Sequence, residues 1–428
     1  MSHLQYNPAM TEIKNKRVFG KIEVPASKSQ TIRAFLIATF ARDKSTIRHP
    51  LISEDTKACI NACKSLGAKI EFNPDDSIAL VDSTNLKIED HIDIDAANSG
   101  TTLYLLLGLA ASLSSEVTLF GDKQLNARPV APLVNALKDL GAEIQSNEGY
   151  PPVTIKGPLK GGKTTIECKT SQYLSSLLLA CPHAEGDCEI NCSLLYEKPY
   201  VDLTLGWLAE QGIKLEITDD KIHSHISAHQ SYKGFDSYIA GDYSSASFFF
   251  CMAAISKSSV TVKGLDRNDP QGDKAILDIL KQMGCDITWN ENEVTVRAAK
   301  PLKGGEFDLN AIPDTLPILA ITAAFATEDV HLTNVPQARI KETDRIAAMC
   351  SNLKKLGVDV EEEKDGILIH AQGHVKGGYT NGYGDHRIIM ALASAAAGSE
   401  DSIFIDDISE VNVTFPSFFD LYNSIRSN

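Results

Sequence analysis

The residues best suited to chemistry are basic side chains that stand where helices begin. A helix N-terminus carries partial positive charge and favours acidic neighbours, so a cation there suggests that an anion binds nearby. The planar fork of arginine also suits bidentate binding of phosphate and carboxylate. Seven basic residues occupy four such stretches: Lys28 and Arg33 in SKSQTIRA, Arg128 in NARPVAPLV, Lys341 and Arg345 in ARIKETDRI, and His386 and Arg387 in GDHRIIM.

The stretch ARIKETDRIAAM, residues 338–349, shows the conflict most directly. Apolar residues recur through Ile346 and Leu353 and are followed by Gly357, which predicts a helix whose first turn lies near Lys341 and Arg345. Two cations four residues apart would then face each other at a cost. A solvated, salt-bridged helix start is the plain alternative. A proline just after Arg128 predicts another helix whose first residue is Pro129.

Two carboxylates lie among these cations. Asp314 begins a predicted helix, and Glu342 lies beside Lys341. Nearby cations keep a carboxylate ionised by lowering its pKa. Such a group can accept a proton or can neutralise its neighbours. Together these residues predict an enzyme that binds one or two phosphorylated, acidic small molecules and moves protons between them.

A repeat of about 72 residues organises the chain. Phrases such as LKDLGAEIQS and LKKLGVDVEE each indicate the end of an amphipathic helix, a capping glycine and a strand. The glycines are Gly67, Gly141, Gly212, Gly284 and Gly357, and consecutive residue numbers differ by 74, 71, 72 and 73. A sixth unit would end in a C-terminal helix. Six repeats therefore account for nearly the whole chain.

A second phrase recurs in phase with the first. Polar, cap-forming stretches lie near Ser27, Asn98, Thr170, Asp242, Asp314 and Asp385, each after a strand-like segment and before a helical one. If three repeats pack around a pseudo-threefold axis, three helix starts converge at one pole. A solenoid is the alternative arrangement of such repeats.

Composition narrows the class of protein further. The 428 residues carry a net charge of −15, which argues against nucleic acid and anionic membranes as partners. No apolar run is long enough to span a membrane, and no signal peptide is recognisable, so we expect a cytoplasmic protein. Nine cysteines and the triplet His223, His225 and His229 form no convincing metal pattern, so no metal site is predicted.

In combination, several motifs resemble those of the 5-enolpyruvylshikimate-3-phosphate synthases, members of the enolpyruvyl-transferase family. They run in the family's order from about residue 18 to 425: SKSQTIRA, NSGTT, TSQYLSSLLLA, KPYVDLT, GDYSSASFF, QGD, IPD, KETDRI, GDHRI and TFPSFF. No single motif is decisive, but the set is highly specific.

The resemblance implies a mixed α/β protein with the two-domain enolpyruvyl-transferase fold, in which each domain contains three βαβαββ repeats as an inside-out α/β barrel. One domain would hold residues 20–240, the other residues 1–19 and 241–428, with the ligands in the cleft between them. The enzyme would transfer the enolpyruvyl group of phosphoenolpyruvate to the 5-hydroxyl of shikimate 3-phosphate by addition and elimination, a step toward chorismate and the aromatic amino acids. It would need no cofactor, and we expect a monomer.

The resemblance also implies a role for each matching residue. Shikimate 3-phosphate would contact Lys28, Ser29, Arg33, Thr170, Ser171, Gln172, Asp314 and Lys341. Phosphoenolpyruvate would contact Lys28, Gly100, Arg128, Gln172, Arg345 and Arg387. Asp314 would accept the proton of the 5-hydroxyl, and Glu342 would handle the proton at the methylene carbon with His386 beside it. Lys28 would serve both substrates and belong to the catalytic set.

Three positions depart from the family pattern. Tyr104 replaces a common arginine, Glu197 replaces a serine that donates to the 3-phosphate, and Val413 replaces a lysine before TFP. A carboxylate beside a phosphate dianion is repulsive unless a cation bridges them. The departure at Glu197 therefore keeps a second function open: a paralogue that acts on another shikimate-like or cyclitol acceptor. A UDP-N-acetylglucosamine enolpyruvyl transferase is disfavoured because GDKQLNARP has no cysteine.

Overall fold

The computed structural model describes residues 10–73, 77–86 and 88–426. These residues form twelve α-helices, numbered in chain order: α1 Lys28–Phe40, α2 Glu54–Ser65, α3 Gly100–Ala110, α4 Ala131–Asp139, α5 Ser171–Ala180, α6 Lys198–Glu210, α7 Tyr243–Ile255, α8 Ile276–Gln282, α9 Leu316–Ala324, α10 Arg345–Lys355, α11 His386–Ala395 and α12 Phe418–Ser424. None of the described helices is both long and apolar enough to cross a membrane.

The strands of the described residues are short and numerous, as expected for a repeated βαβαββ pattern. They are β1 Thr11–Ile13, β2 Gly20–Glu23, β3 Lys44–Arg48, β4 Lys69–Asn73, β5 Ile78–Asp82, β6 His91–Asp95, β7 Glu116–Phe120, β8 Glu143–Asn147, β9 Tyr150–Lys156, β10 Gly162–Cys168, β11 Cys188–Leu195, β12 Leu215–Ile217, β13 His223–Ile226, β14 Asp236–Tyr238, β15 Ser259–Lys263, β16 Asp286–Asn290, β17 Glu293–Arg297, β18 Gly305–Asp308, β19 Val330–Thr333, β20 Asp359–Glu363, β21 Gly366–His370, β22 Gly378–Thr380 and β23 Ile403–Ile405.

The chain forms two compact units. The first unit contains Ala26–Ala240 and Asn268–Gly272, and the second contains the described residues up to Pro25 together with Gly241–Arg267 and those from Asp273 onward. Each unit has its own hydrophobic core. The boundary in the structure lies after Pro25, whereas the sequence prediction placed it after residue 19.

Exchange of two strands explains this boundary. Five sheets have four strands in one order, in which one edge strand lies parallel to its neighbour and the other two strands form an antiparallel pair. In three of these sheets all four strands come from one repeat. However, β2 pairs with β15 and β14 pairs with β3, so the first and fourth repeats exchange their first strands. The sixth sheet has three strands, in which β1 pairs with β23. The sequence order βαβαββ is thus present, but it does not define every sheet.

The helices of each unit fall into a buried set and an outer set. All residues of α3, α7, α9 and α11 are buried, and α7, α9 and α11 pack pairwise against one another in the second unit. In the first unit, α3 packs closely on α5, because Gly108 leaves room for Ser176, whose hydroxyl accepts a hydrogen bond from the Gly108 N–H at 3.0 Å. Two of these buried helices begin with residues of the predicted site, namely α3 with Gly100 and α11 with His386 and Arg387.

The recurring glycines end the outer helices as the repeat predicts. Gly67, Gly141, Gly212, Gly284 and Gly357 follow α2, α4, α6, α8 and α10, and all have positive φ values. Glycine adopts this left-handed conformation without the steric cost that other residues incur. The turn brings the chain back along the sheet in each repeat.

Candidate active site

Aspartates begin the three buried helices of the second unit. Asp242 caps α7 and accepts a hydrogen bond from the Ser245 N–H, and Asp385 caps α11 and accepts one from the Arg387 N–H at 2.8 Å. Asp314 lies in a short 3₁₀ turn that leads into α9. Each carboxylate satisfies N–H groups or lies close to a helix start, which is the local preference that makes these stretches recognisable in the sequence.

Arg345, the first residue of α10, binds three carboxylates in the second unit. Its Nε donates to Asp385 Oδ2 at 2.7 Å, its Nη1 to Asp314 Oδ1 at 2.8 Å, and its Nη2 to Glu342 Oε2 at 2.6 Å. Its side chain is only 1% exposed. Burial lowers the pKa of Arg345, but the charges of Asp385, Glu342 and Asp314 outweigh burial and hold that pKa above its ordinary value.

Arg387 joins the starts of two further helices to the same cluster. Its Nη2 lies 3.2 Å from Asp314 Oδ2, and its Nη1 donates to the hydroxyl of Ser244 on α7. Lys341 Nζ lies 3.8 Å from Asp314 Oδ1. The structure therefore brings together three cations and three carboxylates from three segments of the chain, which we call the ionic cluster: Lys341, Arg345, Arg387, Asp314, Glu342 and Asp385.

Asp314 has cationic neighbours on several sides. Burial by itself would raise its pKa, but the positive charges of Arg387, Lys341 and Arg345 overcome burial and hold the pKa of Asp314 far below its ordinary value. Its side chain keeps 19% exposure, so the carboxylate remains reachable. In this state Asp314 is ionised and is a weak proton acceptor.

Glu342 and His386 lie at the edges of the cluster. The side chain of Glu342 is 14% exposed, and its bond to Arg345 spans three residues along the chain. His386 is the first residue of α11 and is buried. Sequence reasoning named both residues, but it gave Asp385 only a capping role, whereas the structure shows that Asp385 binds Arg345 on one side and caps α11 on the other. The signal was present in GDHR, an N-capping aspartate followed by two basic residues.

The helix predicted in ARIKETDRIAAM begins later than expected. A 3₁₀ helix covers Pro336–Ile340, and α10 starts only at Arg345, with Asp344 as its N-cap. Lys341 therefore precedes the helix, and the predicted repulsion between Lys341 and Arg345 across one turn is wrong. Asp344 accepts a hydrogen bond from the Ala347 N–H and satisfies the acidic preference of the helix start.

In the first unit, the residues predicted to bind ligands have different partners. Lys28 and Ser29 open α1, and Lys28 Nζ forms an ion pair with Asp55 Oδ2 at 2.9 Å. Arg33 is 1% exposed and donates to the hydroxyl of Thr204 at 2.9 Å and to the backbone carbonyls of Ser29 and Tyr200 at 3.0 and 3.2 Å. Within the described chain these partners are all neutral, and burial lowers the pKa of Arg33 to about 10.

The start of α5 holds the carboxylate of Glu197. Its Oε2 accepts hydrogen bonds from the Thr170 hydroxyl at 3.2 Å, the Ser171 hydroxyl at 3.0 Å and the Ser171 N–H at 3.2 Å. Glu197 is 2% exposed and has a left-handed backbone with φ of 57°. Gln172 donates to the hydroxyl of Thr101 at 2.9 Å, which links the starts of α5 and α3.

Arg128 lies against the start of α3. Its Nη2 donates to Asn98 Oδ1 at 3.3 Å, and a Cβ atom on Gly100 would lie 2.6 Å from its Nη1. Only glycine at position 100 leaves room for this guanidinium. The prediction that Pro129 begins a helix is wrong, because α4 starts at Ala131 and Arg128 follows a 3₁₀ turn.

The other two departures from the family pattern fill apolar positions. Tyr104 is 5% exposed and donates to the carbonyl of Pro129 at 3.2 Å, and Tyr173 donates to the same carbonyl at 2.7 Å. These two hydroxyls fix the backbone next to Arg128. Val413 is 7% exposed and lies in a 3₁₀ helix of the second unit. Neither position contributes a cation.

No group of three or more histidine, cysteine, aspartate or glutamate side chains suited to a metal ion occurs among the residues that the structure describes. His223 and His225 lie on β13, as an alternating strand predicts. All nine cysteines are buried thiols. The candidate site therefore consists of the ionic cluster in the second unit and of the residues at the starts of α1, α3 and α5 in the first unit.

Comparison with known proteins identifies close relatives across almost the whole chain. The family model described as EPSP synthase (3-phosphoshikimate 1-carboxyvinyltransferase) matches residues 13–421. The 3-phosphoshikimate 1-carboxyvinyltransferase of Acetivibrio thermocellus is 43% identical over 412 residues, which are 96% of either chain. The enzyme of that name from Methanocaldococcus jannaschii is 37% identical over 421 residues, 97% of either chain.

The fold agrees with the same relatives. The structure of EPSP synthase from Acinetobacter baumannii superposes with a TM-score of 0.82 at 28% sequence identity, and the match covers 97% of this chain and 98% of the other. The predicted two-domain fold with three repeats per domain is therefore confirmed.

Proposed function

Because the chain belongs to the EPSP synthase family, we propose that it transfers the enolpyruvyl group of phosphoenolpyruvate to the 5-hydroxyl of shikimate 3-phosphate and releases phosphate. The observation that carries this function is the ionic cluster. Binding of an anion needs cations, and transfer of protons needs carboxylates beside them. Lys341, Arg345, Arg387, Asp314 and Glu342 supply both.

The reaction proceeds by addition and elimination. In the addition step the 5-oxygen bonds to C2 of phosphoenolpyruvate, the hydroxyl loses its proton and the methylene carbon C3 gains one. In the elimination step C3 loses a proton, the bond from C2 to the phosphate oxygen breaks, and phosphate leaves with its electron pair. The enzyme must therefore hold two anions, accept a proton from oxygen and exchange a proton with carbon.

Phosphoenolpyruvate is assigned to Lys28, Gly100, Arg128, Gln172, Arg345 and Arg387. The small space at Gly100 supports the role of Arg128, since any side chain there would displace the guanidinium. Arg345 starts with all three of its carboxylate partners in place, so an incoming anion competes with Glu342 for Nη2. Exchange of that partner frees Glu342, whose assigned task is proton transfer at C3 with His386 beside it.

Shikimate 3-phosphate is assigned to Lys28, Ser29, Arg33, Thr170, Ser171, Gln172, Asp314 and Lys341. The buried guanidinium of Arg33 supports this role, because its charge has only neutral hydrogen-bond partners in the described chain and gains from an anionic ligand. The hydroxyls of Thr170 and Ser171 at the start of α5 supply donors for phosphate oxygens.

Asp314 is the assigned acceptor of the 5-hydroxyl proton. Binding of a substrate anion makes Asp314 a stronger base, because it raises the pKa of this carboxylate. Its pKa is held low by the charges of Arg387, Lys341 and Arg345. A substrate anion bound at these cations offsets their attraction and raises the pKa of Asp314. Because the ionised carboxylate is the active form, turnover falls as pH drops through this pKa. The acid limb of kcat therefore lies at higher pH than that of kcat/KM.

The assay that tests the function mixes purified protein with shikimate 3-phosphate and phosphoenolpyruvate and follows phosphate release. We expect turnover, and Asp314→Ala or Glu342→Ala lowers it by at least ~10²-fold, the scale of general acid–base groups. Glu363→Ala, on β20 and paired with His331, is the matched control and keeps wild-type turnover. No turnover, together with no binding of shikimate 3-phosphate by calorimetry, would exclude this acceptor.

Cellular context completes the proposal. The enzyme acts as a monomer in the cytoplasm and takes two small anionic substrates without a metal or organic cofactor. The negative net charge of −15 supports the absence of a nucleic-acid partner. Size-exclusion chromatography with light scattering measures the oligomeric state, and a dimer would contradict the monomer.

A further inference from the structure

Glu197 lies where the acceptor's phosphate is assigned to bind. Three donors converge on its Oε2, namely the N–H and hydroxyl of Ser171 and the hydroxyl of Thr170. The first N–H groups of α5 and the positive end of its dipole point to the same place. A phosphate oxygen bound at these groups would find the same three donors that the carboxylate already uses.

The backbone around Glu197 holds its carboxylate in this place. The N–H of Tyr196 donates to the carbonyl of Cys168 at 3.1 Å, so the end of β11 lies beside the segment that leads into α5. Glu197 itself adopts the left-handed conformation with φ of 57°, which is strained for a residue with a side chain. The carbonyl of Glu197 accepts the N–H of Tyr200 at the first turn of α6. The main chain is therefore anchored, and the side chain is the part that can move.

We infer that Glu197 is an internal anion that occupies the phosphate position at the start of α5, and that the phosphate of the acceptor binds by displacing it. This inference rests on the proposed function, because Thr170 and Ser171 are assigned to shikimate 3-phosphate only under that function. A carboxylate and a phosphate dianion repel each other and cannot share one set of donors. Displacement is therefore required, and Glu197 sets the affinity for the phosphorylated acceptor.

The energetic consequence has a definite sign. Hydrogen bonds to a charged acceptor are stronger than bonds between neutral groups, and the incoming phosphate gains only what exceeds the lost bonds to Glu197. Removal of the carboxylate leaves the donors open to the phosphate alone. Glu197→Ser therefore binds shikimate 3-phosphate about tenfold or more tightly than the wild type, which corresponds to one such bond.

Three probes test the inference: binding of shikimate 3-phosphate and of shikimate is measured by calorimetry, and the effect of inorganic phosphate by thermal unfolding. Shikimate 3-phosphate is expected to bind more tightly to Glu197→Ser, whereas unphosphorylated shikimate binds both proteins equally. Inorganic phosphate raises the melting temperature of the variant more than that of the wild type. Glu189→Ser is the matched control, because Glu189 lies on β11 as a half-exposed partner of Lys163 and leaves α5 untouched. It is expected to match the wild type with every probe.

A second variant, Glu197→Gln, keeps the size of the side chain and tests the inference in case Glu197→Ser does not fold. Glu197→Gln removes the charge, and we expect a smaller gain, about threefold, because its amide oxygen still accepts weaker hydrogen bonds. Unchanged or weaker binding of shikimate 3-phosphate in a folded variant overturns the inference. An equal gain for shikimate also overturns it, since that result indicates a general loosening of the pocket.

Failure of the inference is distinct from failure of the proposed function. Wild-type phosphate release with shikimate 3-phosphate and phosphoenolpyruvate is measured in the same preparation. If the wild type turns over and Glu197→Ser gains no affinity, only the displacement by phosphate is wrong. If the wild type does not turn over while Glu197→Ser binds the acceptor tightly, the displacement stands and the proposed activity is wrong.

Discussion

The two units hold their buried cations by opposite means. In the second unit, Arg345 is surrounded by three carboxylates, and the side chain of Arg387 pairs with Asp314, one of the same three. In the first unit, Arg33 is equally buried but has neutral hydrogen-bond partners, and the carboxylate of Glu197 accepts from two hydroxyls and an N–H. An ionic network is preassembled in the second unit, whereas the buried guanidinium of Arg33 in the first unit is held by neutral groups.

Because of this difference, mutations in the two units should affect protein stability and ligand binding differently. Removing one partner of a buried ion pair leaves its counterions uncompensated, which costs about 3–5 kcal/mol. Removing a buried cation that has no counterion relieves a desolvation cost instead. Mutations in the second unit should therefore lower the stability of the protein together with its activity, and mutations at Arg33 should lower binding alone.

The largest expected effect is that of Arg345→Lys. Lysine keeps the charge, but its single ammonium group cannot replace the fork that bonds to Asp385, Asp314 and Glu342 at once. We expect the free energy of unfolding to fall by about 3 kcal/mol and kcat/KM to fall by about 10²–10³-fold. Urea denaturation and steady-state kinetics measure the two effects.

Arg339→Lys is the control for this change. Arg339 pairs with Asp344 and Glu362 but keeps 25% exposure, so its loss should cost less than about 1 kcal/mol. If Arg345→Lys is as stable as the wild type, the three carboxylates do not need the guanidinium as a counterion. That result would contradict the proposed difference between the two units.

The next effect is that of Arg33→Met, which replaces the buried guanidinium with an apolar chain of similar length. We expect the free energy of unfolding to change by less than about 1 kcal/mol, while the affinity for shikimate 3-phosphate falls about 100-fold through the loss of charge-assisted bonds. Calorimetry and urea denaturation measure both. Arg48→Met, at an exposed pair with Asp236, should leave the affinity unchanged. A loss of stability as large as that of Arg345→Lys would contradict the distinction.

The smallest effect is that of Gly100→Ala. The new methyl group would meet Nη1 of Arg128 at 2.6 Å, and the guanidinium must move away from it. Since the contact is with the end of a flexible side chain, the fold should remain intact. We expect KM for phosphoenolpyruvate to rise about tenfold with kcat little changed, the pattern of weakened ground-state binding. Gly206→Ala, in α6 with open space around its Cβ position, is the control and should keep both constants.

The sequence predicted the repeated elements well, since their signals are local. Ser27, Thr170, Asp242 and Asp385 cap α1, α5, α7 and α11, which are four of the six helix starts inferred from polar stretches. Near Asn98 the cap is Ser99, one residue further on, and at Asp314 a 3₁₀ turn precedes α9. The misplaced starts at Lys341 and Pro129 lie where a 3₁₀ segment comes first, a distinction that side-chain periodicity does not carry.

The contacts of the candidate site were less predictable. Glu197 stood out in the sequence as a repulsive neighbour for phosphate, but its bonds to Thr170 and Ser171 depend on β10 and β11 lying side by side. Asp385 stood out only as a cap, and its bond to Arg345 depends on how two successive repeats pack. A single sequence shows which residues can bond, and packing selects among the partners.

By itself, the sequence determined the six repeats, their capping residues, the ends of the outer helices and the cations that gather at helix starts. These features follow from hydrogen bonds and apolar periodicity within a few residues of one another. Only the tertiary structure decided that β2 and β14 exchange places, that Arg345 binds three carboxylates and that the carboxylate of Glu197 accepts the N–H of Ser171 at the start of α5. Each of these joins residues far apart in the chain, and their free energy is realised only when the repeats are packed together.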